Sequence, residues 1–95
     1  MRDIPGYEGL YAATSCGKIW SHRRHRFLKP ELLENGYHRV ALSVKGKVKR
    51  FRVHYLVALT YIDNPEGYTE INHINCNKID NTIRNLEWCS HKQNI

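Results

Sequence analysis

The last quarter of the chain, residues 70–95, constrains the fold more than any other feature. It contains the segment EINHINCNKIDNTIRNLEWCSHKQNI, in which a polar, asparagine-rich loop separates two short apolar runs. This order predicts a short strand, a wide loop, a second short strand and the first turn of a helix. Such a layout can direct the imidazole of His73 and one or two amide oxygens toward one place, and the candidate amides are Asn72, Asn85 and Asn94.

The size and composition of the chain allow one small domain, or two modules that share a modest core. Ninety-five residues with 41% hydrophobic and 11% aromatic side chains are too apolar for a disordered tail. No apolar run approaches the roughly 18 residues of a membrane span, and the N-terminus lacks the apolar core of a signal peptide. We therefore expect a cytoplasmic protein without a membrane partner.

The positive charge is concentrated in the middle of the chain. Residues 18–52 hold eleven Lys and Arg against Glu31 and Glu34, a balance of +9, whereas the remaining residues have a balance of −3. A surface that is merely soluble would mix the two signs, and a one-sided basic segment is typical of proteins that bind a polyanion. The distribution therefore predicts contact with nucleic acid.

The centre of this basic segment is predicted to form a β-hairpin. Lys45 and Gly46 lie between two β-rich runs, YHRVALSV and KVKRFRVHY, as a two-residue turn would. With this turn, Arg39 lies opposite Arg52, an arrangement that destabilises a ribbon unless an anion lies between the two side chains. Because a two-stranded ribbon fits the DNA major groove, the hairpin is the main candidate for DNA contact. The alternative is that ordinary surface arginines extend into water.

Two neighbouring segments add a charged surface and a buried element. Residues 22–29, HRRHRFLK, form a basic loop or hairpin, which is either a solvated charged face or a set of phosphate contacts. Residues 54–62, HYLVALTYI, predict a short buried helix because apolar side chains recur at helical spacing. We interpret His54, at the start of this helix, as a hydrogen-bonded structural histidine rather than a catalyst.

The three cysteines do not predict disulfides. Their number is odd, and the sequence carries no sign of secretion. Cys76, Cys89 and His91 are candidate zinc ligands, but no CxxC pair accompanies them. We expect no structural zinc, and a small zinc-binding interaction module is kept only as a third alternative.

The residue types in the last quarter suit the hydrolysis of a phosphodiester bond. The pKa of a histidine lies near neutrality, so His73 can take the proton of an attacking water. One hard divalent ion held by oxygen ligands stabilises the phosphate and the leaving oxygen, and Asn72 and Asn94 can supply amide oxygens. Asn85 can hydrogen-bond across the loop and hold the strand of His73. We expect Mg²⁺, with Mn²⁺ as the alternative ion.

Together these motifs resemble the HNH homing endonucleases of phages and introns. The short N-terminal module of that family is matched by IPGYEGLY, and then by NGYHRVAL and VHYLVAL. The nuclease motif is matched without a gap by INHINCNKIDN, followed by NLEW and Asn94. The resemblance implies an α+β protein in two parts. An N-terminal antiparallel β-hairpin module occupies residues 1–53, and a short helix with a ββα-metal nuclease motif occupies residues 54–95.

The resemblance also implies roles for individual residues. His73 is the general base, Asn72 and Asn94 bind one divalent cation, and Asn85 braces the loop. The implied partner is double-stranded DNA, cleaved on one or both strands to leave a 5′-phosphate and a 3′-hydroxyl, and we expect a monomer or weak dimer. The residues expected to contact DNA are all basic: Arg23, Arg24, Arg26, Arg39, Lys47, Lys49, Arg50, Arg52, Lys78 and Arg84.

The chain departs from the family pattern in three places. Asn72 stands where some members have an aspartate, Asn75-Cys76 replace a common Asp-Gly, and the sequence ends at Ile95, which truncates the last helix. A site without a carboxylate ligand holds magnesium weakly, and so short a helix is unstable in isolation. The alternative function is therefore a catalytically weak or inactive DNA-binding protein derived from such a nuclease.

Overall fold

The computed structural model describes residues 1–91, which form three antiparallel sheets around one α-helix. The first sheet has four strands in chain order: β1 (Arg2–Asp3), β2 (Tyr11–Ala13), β3 (Ile19–Ser21) and β4 (Arg26–Phe27). The second has three strands: β5 (Glu31–Leu32), β6 (His38–Val44) and β7 (Lys47–Arg52). After the helix α1 (Val53–Tyr61), the last two strands pair with each other: β8 (Glu70–His73) and β9 (Leu86–Cys89). The predicted α+β class is confirmed.

The central hairpin has the register that the sequence predicts. In β6 and β7, Val44 pairs with Lys47 and Arg39 pairs with Arg52. The two turn residues, Lys45 and Gly46, have φ angles of 51° and 78°. Two successive residues with positive φ are what a two-residue type I′ turn requires, because its twist matches that of the flanking strands. The local sequence therefore determines this hairpin.

The helix α1 begins directly after β7 and lies at the centre of the molecule. Leu56, Val57 and Ala58 are each at most 1% exposed, and α1 contacts strands of all three sheets. A helix that is apolar on most of its surface has to be covered by other elements. The helix predicted at residues 54–62 is confirmed, with its first residue one position earlier. No helix within residues 1–91 has the length and apolar character needed to cross a membrane.

Buried side chains from both halves of the chain pack into one hydrophobic cluster. Hydrogen bonds join the same halves, since the Tyr61 hydroxyl donates to the carbonyl of Ala13 at 2.8 Å. The boundary predicted between residues 53 and 54 falls at the start of α1, which packs against both sides. The division into two modules stays a prediction. The cluster includes Ile4, Tyr11, Ile19, Val40, Leu42, Leu56, Val57, Ile71 and Leu86.

The last part of the described chain is the predicted strand, loop and strand. β8 and β9 pair along their full length, from Glu70 opposite Cys89 to His73 opposite Leu86. A 3₁₀ turn at Ile83–Asn85 closes the loop before β9. The helix predicted after β9 lies outside the described residues.

Candidate active site and nucleic-acid face

His73 is the last residue of β8, and the residue is only 6% exposed. Its Nε2 atom lies 2.8 Å from Oδ1 of Asn81. An amide oxygen can only accept a hydrogen bond, so Nε2 carries a proton, and in the neutral ring Nδ1 then has the lone pair. The imidazole therefore has one nitrogen held by the protein and one that can accept a proton.

Asn81 is a site residue that the sequence interpretation missed. It is 4% exposed and lies eight residues after His73 in the loop between β8 and β9. The only signal for it is an Asp-Asn pair near the end of a loop that already contains several asparagines. Loop residues have no periodicity that tells which side chain turns inward, so the sequence does not separate Asn81 from its neighbours.

Asn85 bridges the loop, as the sequence predicts. Its Oδ1 accepts a hydrogen bond from the backbone N–H of Asn75, and its Nδ2 donates to the backbone carbonyl of Asp80, both at 2.8 Å. The N–H of Ile74 also donates to the carbonyl of Asn85 at 2.8 Å. These three bonds tie the first and the last part of the loop together. The contribution of Asn85 to catalysis stays a prediction.

Asn72 and His73 are the last two residues of β8, and their side chains leave the end of the strand on alternate faces. It pairs with Glu87 of β9, and its Nδ2 donates to Oε1 of Glu87 at 2.9 Å. Among residues 1–91, Oδ1 of Asn72 has no hydrogen-bond partner. The sequence predicts ligands without a carboxylate, but the strand register brings one, the exposed Glu87, next to Asn72. An amide oxygen and a carboxylate thus share one face of β8 and β9.

The described residues give no complete metal centre. Asn94, the second predicted ligand, lies outside them, and residues 1–91 contain no group of three His, Cys, Asp or Glu side chains that could hold an ion. Of the zinc candidates, Cys76 is exposed and Cys89 is buried, which raises the pKa of the Cys89 thiol. His91 is engaged with Glu70, whose Oε2 lies 2.7 Å from its Nδ1. Among described groups, the oxygen atoms beside Asn72 suit a hard divalent cation.

His54 and Tyr37 cover the other side of His73. The His54 ring lies edge-on to His73 at 4.8 Å between centroids, and the Tyr37 ring lies 5.0 Å from His54 and 5.8 Å from His73. Nδ1 of His54 is buried and has no hydrogen-bond partner among residues 1–91. The prediction that His54 is hydrogen-bonded is therefore wrong for this atom. Burial, and then the nearby His73 and Arg52, lower the pKa of His54 to about 4. At neutral pH, His54 is therefore an uncharged side chain that packs against His73.

Two cationic side chains, one from each half of the chain, lie over the ring of Tyr37. Cζ of Arg52 lies 4.7 Å and Nζ of Lys78 lies 5.1 Å from the ring centroid. Lys78 also donates to the backbone carbonyl of Asn35 at 2.9 Å, which fixes its ammonium group. Beside Tyr37, a groove of about 370 Å³ runs between β7, the start of α1 and β8. Two predicted DNA-contact residues thus lie close to the imidazole of His73.

The remaining basic residues differ in how they are held. Arg39 forms an ion pair with Glu31, with Nη2 2.7 Å from Oε1, and Arg52 lies over Tyr37. Each of the two opposed arginines, Arg39 and Arg52, thus has a partner within the protein. The predicted repulsion between them is relieved without an anion between the side chains and without their extension into water. Arg23 donates to the carbonyl of Ser43 at 3.2 Å. The others are exposed and form no ion pair within residues 1–91: Arg24, Arg26, Lys47, Lys49, Arg50 and Arg84.

Comparison with known proteins finds one motif family and several endonucleases that this chain resembles. Residues 2–43 match the family described as the NUMOD4 motif. The chain is 45% identical over 85 residues to an uncharacterized HNH endonuclease of Acanthamoeba polyphaga mimivirus, an alignment that covers 90% of this chain and 26% of that protein. It is 37% identical over 94 residues to DNA endonuclease I-HmuI of Bacillus phage SP01, covering 99% of this chain and 54% of I-HmuI.

A solved structure that describes DNA binding and cleavage by the HNH homing endonuclease I-HmuI has the same fold. The two superpose with a TM-score of 0.90 at 38% identity, over 98% of this chain and 53% of that chain. The chain thus spans about half the length of I-HmuI and about a quarter of the mimivirus protein. The predicted family is confirmed. Over the part of these proteins that it spans, the chain belongs to the HNH homing endonuclease family.

Proposed function

We propose that the chain is the DNA-docking and nuclease part of a metal-dependent DNA endonuclease. It acts on double-stranded DNA as a monomer or weak dimer, with residues 1–53 docking the duplex and residues 54–95 hydrolysing a phosphodiester bond in one or both strands. The observation that carries the proposal is the placement of His73, whose Nε2 is held by Asn81 while Nδ1 keeps its lone pair. The likeness to DNA endonuclease I-HmuI supports it.

His73 is the general base in this proposal. Its Nδ1 takes the proton from the attacking water, and the hydrogen bond from Nε2–H to Asn81 stabilises the imidazolium that forms. Asn85 acts at a distance from the reacting atoms, since its hydrogen bonds to the backbone of Asn75 and Asp80 keep the loop closed. Both residues keep the ring in one orientation, which a base needs in order to meet its substrate.

The oxygen donors beside Asn72 fit a divalent cation. Oδ1 of Asn72 and the carboxylate of Glu87 would hold the ion together with Asn94, and hard oxygen ligands of this kind suit Mg²⁺, with Mn²⁺ as the alternative. When bound, such an ion stabilises negative charge on the phosphate and on the leaving 3′-oxygen. Glu87 supplies the negative charge that a site made only of amides lacks.

We expect cleavage of a supercoiled plasmid to require a divalent cation. Nicked circles should form with Mg²⁺ or Mn²⁺ and should be absent with a chelator in excess. Glu87→Gln should raise the Mg²⁺ concentration needed for half-maximal cleavage severalfold, because it removes the carboxylate beside Asn72. Glu66→Gln, which alters an exposed carboxylate in another loop, is the matched control and should leave that concentration unchanged. Undiminished nicking in the chelator would contradict the proposed metal dependence.

The exposed arginines of the hairpin are proposed to contact DNA phosphates. Arg50→Gln should weaken binding to all sequences alike and lower the slope of log K against log salt by about one. The double variant Glu31→Gln with Arg39→Gln removes a pair that is already neutralised, so it should change the slope less. Gel-shift titrations between low and moderate salt measure both slopes. Equal slopes for Arg50→Gln and the parent chain would exclude Arg50 from the interface.

A second candidate is a DNA-binding protein without cleavage. It is favoured by the burial of His73, since a residue that is 6% exposed gives water little access to its imidazole. This candidate predicts salt-dependent DNA binding with no nicking in any divalent ion. The plasmid assay therefore separates the two functions.

A further inference from the structure

A turn in the N-terminal half, residues 14–18, lies directly against the loop that holds His73. Gly17 in this turn has a φ of +93°, and a Cβ atom built on it would lie 2.7 Å from the backbone oxygen of Asn81 and 2.9 Å from the Cβ of Asn81. Heavy atoms without a hydrogen bond between them do not approach so closely in a relaxed structure. Any side chain at position 17 would therefore push the backbone of Asn81 away.

A hydrogen bond joins the same turn to the loop two residues further on. The backbone N–H of Ile83 donates to the carbonyl of Ser15 at 3.0 Å. The turn is itself closed by Thr14, whose hydroxyl accepts from the N–H of Lys18 at 2.9 Å and whose N–H donates to the carbonyl of Lys18 at 2.9 Å. The loop around Asn81 therefore packs against a turn whose conformation is stabilised by hydrogen bonds within the turn.

Asn81 lies between this turn and the imidazole of His73. Its backbone contacts Gly17, and its buried side chain places Oδ1 2.8 Å from Nε2 of His73. A hydrogen bond weakens when its donor–acceptor distance grows by a few tenths of an ångström. A shift of the Asn81 backbone therefore weakens the bond to the imidazole of His73. One residue, Asn81, therefore connects the N-terminal turn to the imidazole of His73.

We propose that Gly17 and Asn81 are positioning residues for His73. The N-terminal turn clamps the backbone of Asn81, and Asn81 fixes the orientation and tautomer of the imidazole. The inference rests on the proposed role of His73 as the general base. It gives the N-terminal half a second task besides DNA docking, because part of the wall behind the base is built from residues of that half.

The first test compares two glycine substitutions. Gly17→Ala should lower the single-turnover rate of plasmid nicking by about 10²-fold, the effect of a misplacement of about 1 Å, while the dissociation constant for DNA stays within about twofold. Gly6→Ala is the matched control, since Gly6 has a similar φ of +85° but no atom within 4 Å of the position that its Cβ would take. It carries the same backbone strain without the contact and should keep the parent rate. Equal rate losses in the two variants would overturn the role of Gly17.

The second test changes Asn81 itself. Asn81→Asp keeps an oxygen that accepts the proton of Nε2 and should retain most of the nicking rate, whereas Asn81→Leu has a similarly branched side chain without an acceptor and should lose about 10²-fold. Thermal unfolding of each variant shows whether it is folded at the assay temperature. A parent rate in Asn81→Leu would overturn the positioning role.

A measurement without cleavage separates this inference from the proposed function. The ring ¹⁵N shifts of His73 report which nitrogen carries the proton, whether or not the protein nicks DNA. We expect the Nε2–H form in the parent chain and in Gly6→Ala, and a mixture of both neutral forms in Gly17→Ala and Asn81→Leu. Unchanged shifts in these last two variants would overturn the inference. Absence of nicking in the parent chain would overturn only the proposed function.

Discussion

His73→Gln is expected to lower the rate of DNA cleavage by roughly 10²- to 10⁴-fold, the range measured when a general base is removed. Glutamine has a similar reach, and its amide N–H can still donate to Oδ1 of Asn81, so the loop keeps its bond. It cannot accept a proton from water near neutral pH, because an amide has no basic nitrogen. The loss should therefore fall on the chemical step and leave DNA binding within about twofold.

The control for this variant is the same substitution at a histidine outside the site, His38, which is partly buried. His38→Gln changes a residue at the start of β6 that has no proposed catalytic role, and it should keep the parent rate. Single-turnover nicking of supercoiled plasmid, with protein in excess over DNA, gives the rate of the chemical step directly. Cleavage by His73→Gln at the parent rate would exclude His73 as the base and favour another source of the nucleophile.

The second large effect is a loss of stability in mild acid that originates at His54. The pKa of this buried ring is about 4 in the folded protein, against an ordinary value of 6.5. Well above pH 6.5 the ring is neutral in both states and makes no contribution. As the pH falls from 6.5 to 4, the unfolded chain binds a proton that the folded chain does not, so the free energy of unfolding decreases. The difference of about 2.5 pKa units corresponds to about 3 kcal/mol, reached in full below pH 4.

The groups that face His54 explain why it resists protonation. Burial has the largest effect, followed by the charge of His73 when its ring is protonated and by the permanent charge of Arg52. Tyr37 covers a further side of the ring without supplying a negative charge. A protonated His54 would therefore be a buried cation beside other cations.

Urea unfolding of the parent chain and of His54→Gln, measured between pH 7 and pH 4, tests this prediction. Glutamine does not titrate, so the variant should lose less stability across this range than the parent. His25→Asn alters an exposed histidine with a φ of 50°, a conformation that asparagine tolerates, and should keep the parent pH dependence. Identical slopes for His54→Gln and the parent chain would contradict the assignment.

A separate effect is expected below this window. Hydrogen bonds from the backbone of Gly9 and the side chain of Thr82 are the main causes that lower the pKa of Asp3 and Asp80, respectively. Their stabilisation is present above their ordinary pKa of 3.8 and is lost as the pH falls through their folded values. The acid sensitivity between pH 6.5 and pH 4 can thus be separated from that of the carboxylates.

The elements of the fold were predictable where local chemistry decides them. The turn at Lys45 and Gly46 fixes the register of β6 and β7, because only two residues separate two runs with alternating polarity. The apolar run after β7 predicts α1 for a similar reason, since a segment with almost no polar face has to be buried. These features depend on neighbours in sequence, and the structure moves the bounds of α1 by a single residue.

The arrangement of the candidate site was predictable only in part. The sequence identified His73 and the bridging role of Asn85 within one loop, whose ends are joined by the pairing of β8 with β9. It did not identify Asn81, Glu87 or Gly17. Asn81 depends on the path of an irregular loop, Glu87 on the side-chain direction in β9, and Gly17 on a contact with a residue 64 positions away in the chain.

The sequence by itself determined the chemical groups of this protein, the hairpin, the helix and the likeness to HNH homing endonucleases. Only the tertiary structure decided what surrounds the imidazole of His73, with Asn81 at Nε2, His54 and Tyr37 along the ring, and a turn from the N-terminal half behind the loop. The physical reason is that periodicity and turn preferences act over a few residues. The environment of a buried side chain is instead set by close packing between segments that are distant in the chain.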